Sequence, residues 1–179
     1  NIFIQHYPVT DKSKTAQNND YEVVGTASLD IFPTYDEWIS HFMMGQEPDM
    51  RALATYHFGH LPVWVKGNAY FGGASVSKHE EHGLIRADVK ARAELTEKDG
   101  KYYLNTNVFS LLEGFRNELI NTETLGLAFE PEQRFENPDE TPIVFDEDYF
   151  GERRGDTILP GPFAGLTEEE VKVAEFRMV

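Results

Sequence analysis

Apolar and polar positions divide the chain into short extended runs separated by polar turns, with one helical excursion near the start. Asn1 to Val9 carries Ile2, Phe3, Ile4 and Tyr7 before Pro8 ends it, the pattern of a short buried strand. Lys12 to Asp20 is polar throughout and reads as a loop. Tyr21 to Phe32 places β-branched and aromatic residues around Gly25 and predicts one or two short strands. At Pro33-Thr34-Tyr35-Asp36-Glu37 the period changes. Thr34 followed three residues later by Glu37 is a capping box, and Asp36 and Glu37 suit the positive end of a helix dipole. A helix is expected from about Tyr35 to Met44, stopping at Gly45, with Trp38 and Phe42 on one face. Pro48-Asp49 opens a second, shorter helix to about Tyr56.

Strand character returns at Val63-Trp64-Val65 and Asn68-Ala69-Tyr70-Phe71, which Gly72-Gly73 turns away from. Lys78 to Arg86 reads as a charged loop. Lys90 to Leu95 and Lys101 to Val108 flank Asp99-Gly100, a dipeptide whose freedom at positive φ makes it a hairpin turn. Beyond Ser110 the chain is rich in Asn, Pro and Gly and reads as a long surface loop pinned by Phe129, Phe135, Ile143, Phe145, Tyr149, Phe150 and Phe163. At the end, Thr167 to Glu170 has a capping pattern while Val171-Lys172-Val173 alternates, so a strand or a helix is open over 166–179, the alternation favouring the strand. The expected organisation is a single β-rich domain over 1–165 with a helical insertion at 33–57.

Composition narrows the partners. The 179 residues carry a formal net charge of −15, and 23 of them are aromatic, enough for a packed core. So negative a field repels phosphate backbones and anionic membranes, and the basic residues are scattered, so neither nucleic acid nor membrane is an expected partner. No apolar run approaches the ~20 residues of a membrane helix. The absence of cysteine excludes disulfides and thiolate chemistry. A start at Asn1, inside an apolar strand, carries the expectation of a processed product or a piece of a longer polypeptide.

Asn1-Ile2-Phe3-Ile4 and Asn68-Ala69-Tyr70-Phe71 share a form, each an Asn ahead of a short aromatic and apolar strand. Such runs resemble the rungs of right-handed parallel β-helix proteins that act on polysaccharides, the pectate-lyase-like superfamily, in which stacked Asn side chains cap a turn. Asp148-Tyr149-Phe150-Gly151 and Pro160-Gly161-Pro162-Phe163 resemble the closing segment of such proteins. The resemblance spans residues 60–165, with an echo at 1–5. It implies a mainly β fold, the C-terminal rungs and cap of a parallel β-helix, in a secreted, extracellular or periplasmic protein. A β-helix needs several stacked repeats to bury its core. Few are visible, so either another polypeptide supplies N-terminal rungs or the strands form a self-contained β-sandwich.

The residues that could carry chemistry follow from what a saccharide requires. Cleavage needs two carboxylates across the bond, or a base together with a cation facing a uronate. In so acidic a chain the unusual local environment is Arg51, His57, His60 and Lys66, which are the candidate catalytic residues, with imidazoles able to exchange protons near neutrality. Trp38, Tyr56 and Trp64 are the candidate saccharide-binding residues. At helical or strand spacing a Trp is ordinarily core, so that role requires exposed rings. His79-Glu80-Glu81-His82 has the residue types of a metal loop without the spacing of a known one and reads as solvated, and no metal site is assigned. Acidic turns at Asp139, Glu140, Asp146, Glu147 and Asp148 have hard oxygen ligands, and Ca²⁺ is the cation they would hold, although EF-hand spacing is missing. The expectation is part of a polysaccharide lyase or glycoside hydrolase, or alternatively a non-catalytic carbohydrate-binding or structural module.

Overall fold

The structure is a computed structural model that describes residues 1–7, 23–38, 61–129, 131–165 and 170–175. It is mainly β, and it falls into two compact units, residues 1–90 and 91–179.

In the first unit the two Asn-led runs lie side by side. Strand β1 (Ile2–Ile4) pairs in parallel with β3 (Ala69–Phe71), setting Ile2 on Ala69, Phe3 on Tyr70 and Ile4 on Phe71. Strand β5 (Leu84–Arg86) lies parallel on the other edge of β3, giving the order β1-β3-β5. A second parallel pair joins β2 (Val65–Lys66) to β4 (Glu80–Glu81). Val65 sits on Glu80 and Ala69 on Leu84, in each case fifteen residues on, so the chain returns one strand step away after each circuit. Burial follows from the stacking: Ala69, Tyr70 and Phe71 are fully buried, as parallel strands covered on both faces and both edges must be. The Phe3 and Tyr70 rings stack with centroids 5.2 Å apart, the cross-strand pairing that an in-register parallel ladder places directly over itself.

Two segments differ from the sequence reading. Lys78 to Arg86, expected as a charged loop, contains β4 and β5, because strands of two or three residues direct too few side chains inward to show an alternating pattern. Within 21–32 the described residues make one parallel bridge, Gly25 with Ser75, and then a 3-10 turn over Ala27–Ile31. The cause is local: Asp30 accepts from Ser77 Oγ at 2.7 Å and from the Lys78 amide at 2.8 Å, and this holds the turn against the neighbouring circuit. The Thr34 box forms as expected. The Glu37 amide donates to Thr34 Oγ1 at 3.1 Å, the Thr34 amide donates to Glu37 Oε2 at 2.8 Å, and helix begins at Tyr35. The remainder of that helix and the second expected helix lie outside the described residues.

In the second unit β6 (Ala93–Lys98) and β7 (Lys101–Thr106) form the expected hairpin around Asp99 and Gly100, which take φ of 54° and 74°. The alternating end of the chain is the strand β10 (Glu170–Glu175), antiparallel on the free edge of β7. Between them lie one-turn helices at Val108–Leu111 and Thr122–Leu125, an antiparallel pair of β8 (Asn117–Glu118) with β9 (Thr157–Ile158), and turns and isolated bridges, with Val108, Leu112, Ile158, Leu159 and Phe163 buried. The two tail motifs meet. Asp148 accepts from the amides of Phe150, Glu152 and Ala164 at 2.8, 2.9 and 2.9 Å, Tyr149 N–H donates to Pro162 O at 2.7 Å, and the Phe150 and Phe163 rings stack at 5.2 Å.

Candidate functional site

The parallel strands of the first unit are held at their leading ends by a relay of polar side chains. Asn1 donates to Asn68 Oδ1 through both its amino group, at 2.8 Å, and Nδ2, at 3.1 Å. Asn68 Nδ2 donates in turn to Glu80 Oε2 at 2.7 Å, and the Asn68 amide to Glu80 Oε1 at 3.1 Å. A second chain of donors reaches the same carboxylate: the Ser77 amide to Thr26 Oγ1 at 3.1 Å, Thr26 Oγ1 to the Tyr70 hydroxyl at 2.8 Å, and the Tyr70 hydroxyl to Glu80 Oε2 at 2.6 Å. Burial raises the Tyr70 phenol far above its ordinary pKa, and its bond to the Glu80 carboxylate adds to the effect. With donors on both oxygens, Glu80 is occupied as a structural acceptor. Glu80 also lies across Gly83, where a Cβ would come within 2.7 Å of Glu80 Cγ, so only glycine leaves room for the carboxylate.

The face turned outward is different in character. Trp64, immediately before β2, is 61% exposed, and Lys66, two residues on, is exposed beside Glu81, its register partner on β4. Val65 between them is half-buried, the alternation of an extended chain. A large, flat indole thus stands on the surface next to a cation and a carboxylate from adjacent strands. Such a set can stack on the apolar face of a pyranose and hydrogen-bond its hydroxyls.

The structure brings two sequence-derived candidates, Trp64 and Lys66, onto one short segment. Trp38 is half-buried at the start of its helix. Arg51, Tyr56, His57 and His60 lie outside the described residues. His79 and His82 do not converge. His79 is buried, its Nε2 donating to Phe32 O at 3.0 Å, while His82 is exposed and takes φ of 56°. In the acidic tail the aspartates serve their own turns. Asp139 accepts from Thr141 Oγ1 at 2.6 Å and from its amide at 3.2 Å, which hold its carboxyl below the usual range, and Asp146 pairs with Arg153. No group of three or more His, Asp or Glu is gathered for a metal among the described residues. Sequence reasoning missed Glu80 and Glu81, whose only signal was their position fifteen residues after Val65 and Lys66.

No family model matches the chain, and no curated protein matches it. Among solved structures it is similar to XylC, known in complex with xylose, with a TM-score of 0.69 and 23% identity over 84% of this chain and 24% of that one. The likeness is one of fold, and the chain spans about a quarter of the length of that protein.

Proposed function

We propose that this chain is part of an extracellular carbohydrate-active protein built on a right-handed parallel β-helix, and that the outer face at β2 contacts a saccharide through Trp64. The observation that carries the reading is the exposure of Trp64, 61%, beside a parallel stack whose aromatic residues are half-buried, at Phe3, or buried, at Tyr70 and Phe71. The accessible part of an indole can stack on a pyranose ring, whose C–H face is complementary to it. Lys66 and Glu81 offer hydrogen bonds to ring hydroxyls, and their opposite charges suit a neutral sugar. The fold likeness to part of XylC, whose complex holds xylose, supports a neutral pentose or hexose polymer as the substrate class. On this reading His57 and His60 exchange protons in a lyase-like or hydrolase-like cleavage, while Arg51 and Lys66 supply positive charge beside them.

Calorimetric titration with neutral and uronate oligosaccharides tests the reading, run beside an assay for newly formed reducing ends. Neutral oligosaccharides are expected to bind, and Trp64→Ala to weaken them by roughly ten- to a hundredfold, the loss of ~1.5–3 kcal/mol of stacked aromatic area. Binding without cleavage by the intact polypeptide would support a binding module instead. No binding by any glycan would remove the reading.

A further inference from the structure

The corner that follows β4 is built differently from the one that follows β2. In the first circuit the chain leaves β2 through Gly67, buried at φ of 71°, whose amide donates to Glu81 O at 2.9 Å. One circuit on, the residue at the matching position is His82, which takes φ of 56° and is exposed. Glycine adopts this left-handed conformation at little cost, and a residue with a Cβ does not. Asp99, Glu132 and Glu140, the other described non-glycine residues at positive φ, sit in tight turns between antiparallel partners. His82 lies instead at the end of a parallel pair, at a corner that the neighbouring circuit makes with glycine. The fold thus accepts backbone strain at an exposed side chain and gains little burial from it.

We propose that His82 is a second saccharide contact, and that this face takes two linked neutral pyranose rings, one stacked on the Trp64 indole and the next hydrogen-bonded by the His82 imidazole. An extended chain alternates its side chains, so after Glu80, bonded to the buried Tyr70, and the exposed Glu81, an extended residue 82 would turn inward again. The left-handed corner keeps His82 on the exposed side with Glu81. Trp64 precedes Gly67 by three residues and His82 stands one strand over, so with about 3.3 Å per residue and about 4.8 Å between strands their Cα atoms lie roughly 11 Å apart. A single ring on the indole therefore leaves the imidazole to the next ring of the same chain. Lys66 and Glu81 stand between the two, register partners that face the linkage. The imidazole offers one donor and one acceptor, a match for neighbouring hydroxyls on one ring. The inference rests on the saccharide reading at Trp64, and adds to it the length of the ligand and the residue that senses that length.

Calorimetric titration with xylose and with xylobiose tests it, on the unaltered chain, His82→Gly and Trp64→Ala, beside thermal unfolding of each. The unaltered chain is expected to bind xylobiose about tenfold more tightly than xylose. His82→Gly should bring the two affinities within about twofold by weakening xylobiose alone, with its unfolding temperature unchanged or raised, since glycine relieves the strain. Trp64→Ala should weaken both sugars. A His82→Gly chain that still prefers xylobiose, that loses affinity for xylose to the same extent, or that unfolds at a lower temperature would overturn the role of His82 and leave the reading at Trp64 standing. Equal affinities for the two sugars in the unaltered chain would overturn the two-ring site in the same way. Failure of the unaltered chain to bind either sugar would remove the reading at Trp64, and this inference with it.

Discussion

The Tyr70 hydroxyl donates to Glu80 Oε2 at 2.6 Å from a side chain only 1% exposed, tying the centre of β3 to the start of β4 ten residues along the chain. Tyr70→Phe keeps the ring stacked on Phe3 but leaves Thr26 Oγ1 and Glu80 each short of a partner. The expected loss is about 1–3 kcal/mol in denaturant unfolding. Burial of the phenol, together with that bond, gives a pH signature. Because the folded phenol titrates above its ordinary value of ~10, its contribution is fully present below pH ~10 and is lost as pH rises from there through the folded pKa. Stability of the unaltered chain should fall more steeply above pH 10 than that of Tyr70→Phe, and parallel curves would contradict the assignment.

Asp148 gives the opposite signature. Burial disfavours its charge, but the amides of Ala164, Glu152 and Phe150, with the Arg154 guanidinium, outweigh that and hold the carboxyl below its usual range. A depressed folded pKa contributes stability above the unfolded value of ~3.9 that is lost as pH falls through the folded one. Asp148→Ala should lower stability at pH 7 and flatten the acid limb between pH ~4 and 2, measured by thermal unfolding. An acid limb as steep as that of the unaltered chain would show that the tail closure does not depend on this charge.

The shared form of the Asn1 and Asn68 runs, and the Asp148-Tyr149-Phe150-Gly151 and Pro160-Gly161-Pro162-Phe163 motifs, were legible in the chain; that Asn1 would donate to Asn68 and Asp148 accept from the Ala164 amide was not, because those contacts join residues 67 and 16 positions apart. Asp99-Gly100 and the Thr34 box were legible because each is a local device whose chemistry lies within four residues. Glu80 was not, because its role depends on residues at positions 26, 68 and 70 that only the stacking brings to it, and Glu80-Glu81 reads as solvent by composition. Trp64 resisted for a different reason. Before a strand, a Trp suits either face equally, and the sequence favoured the core, whereas the fold turns it outward.

Gly25 takes φ of 136°, and a Cβ there would fall 2.0 Å from Ser75 O across the parallel bridge. Gly25→Ala combines a disfavoured backbone with a backbone clash. It should cost about 2–4 kcal/mol, read as a shift in the urea midpoint. A change below ~0.5 kcal/mol would mean that the bridge does not form in solution.

Thr34→Ala removes the acceptor for the Glu37 amide at the helix start and should cost about 0.5–2 kcal/mol of helix stability. Exchange of the Trp38 amide, which bonds to Thr34 O at 2.9 Å, should accelerate, while that of Tyr70 in the stack should not. Unchanged exchange at Trp38 would show that the cap is dispensable.

The saccharide reading rests on the outward Trp64 ring, and the most direct test is to watch its indole N–H by heteronuclear NMR during titration with a neutral xylo-oligosaccharide. The Trp64 resonance should shift saturably while that of Trp38, half-buried at its helix start, stays in place, and the shift should be lost with a uronate oligomer of equal length. A Trp64 resonance that does not move with any oligosaccharide, or one that moves no more than Trp38, would contradict the account.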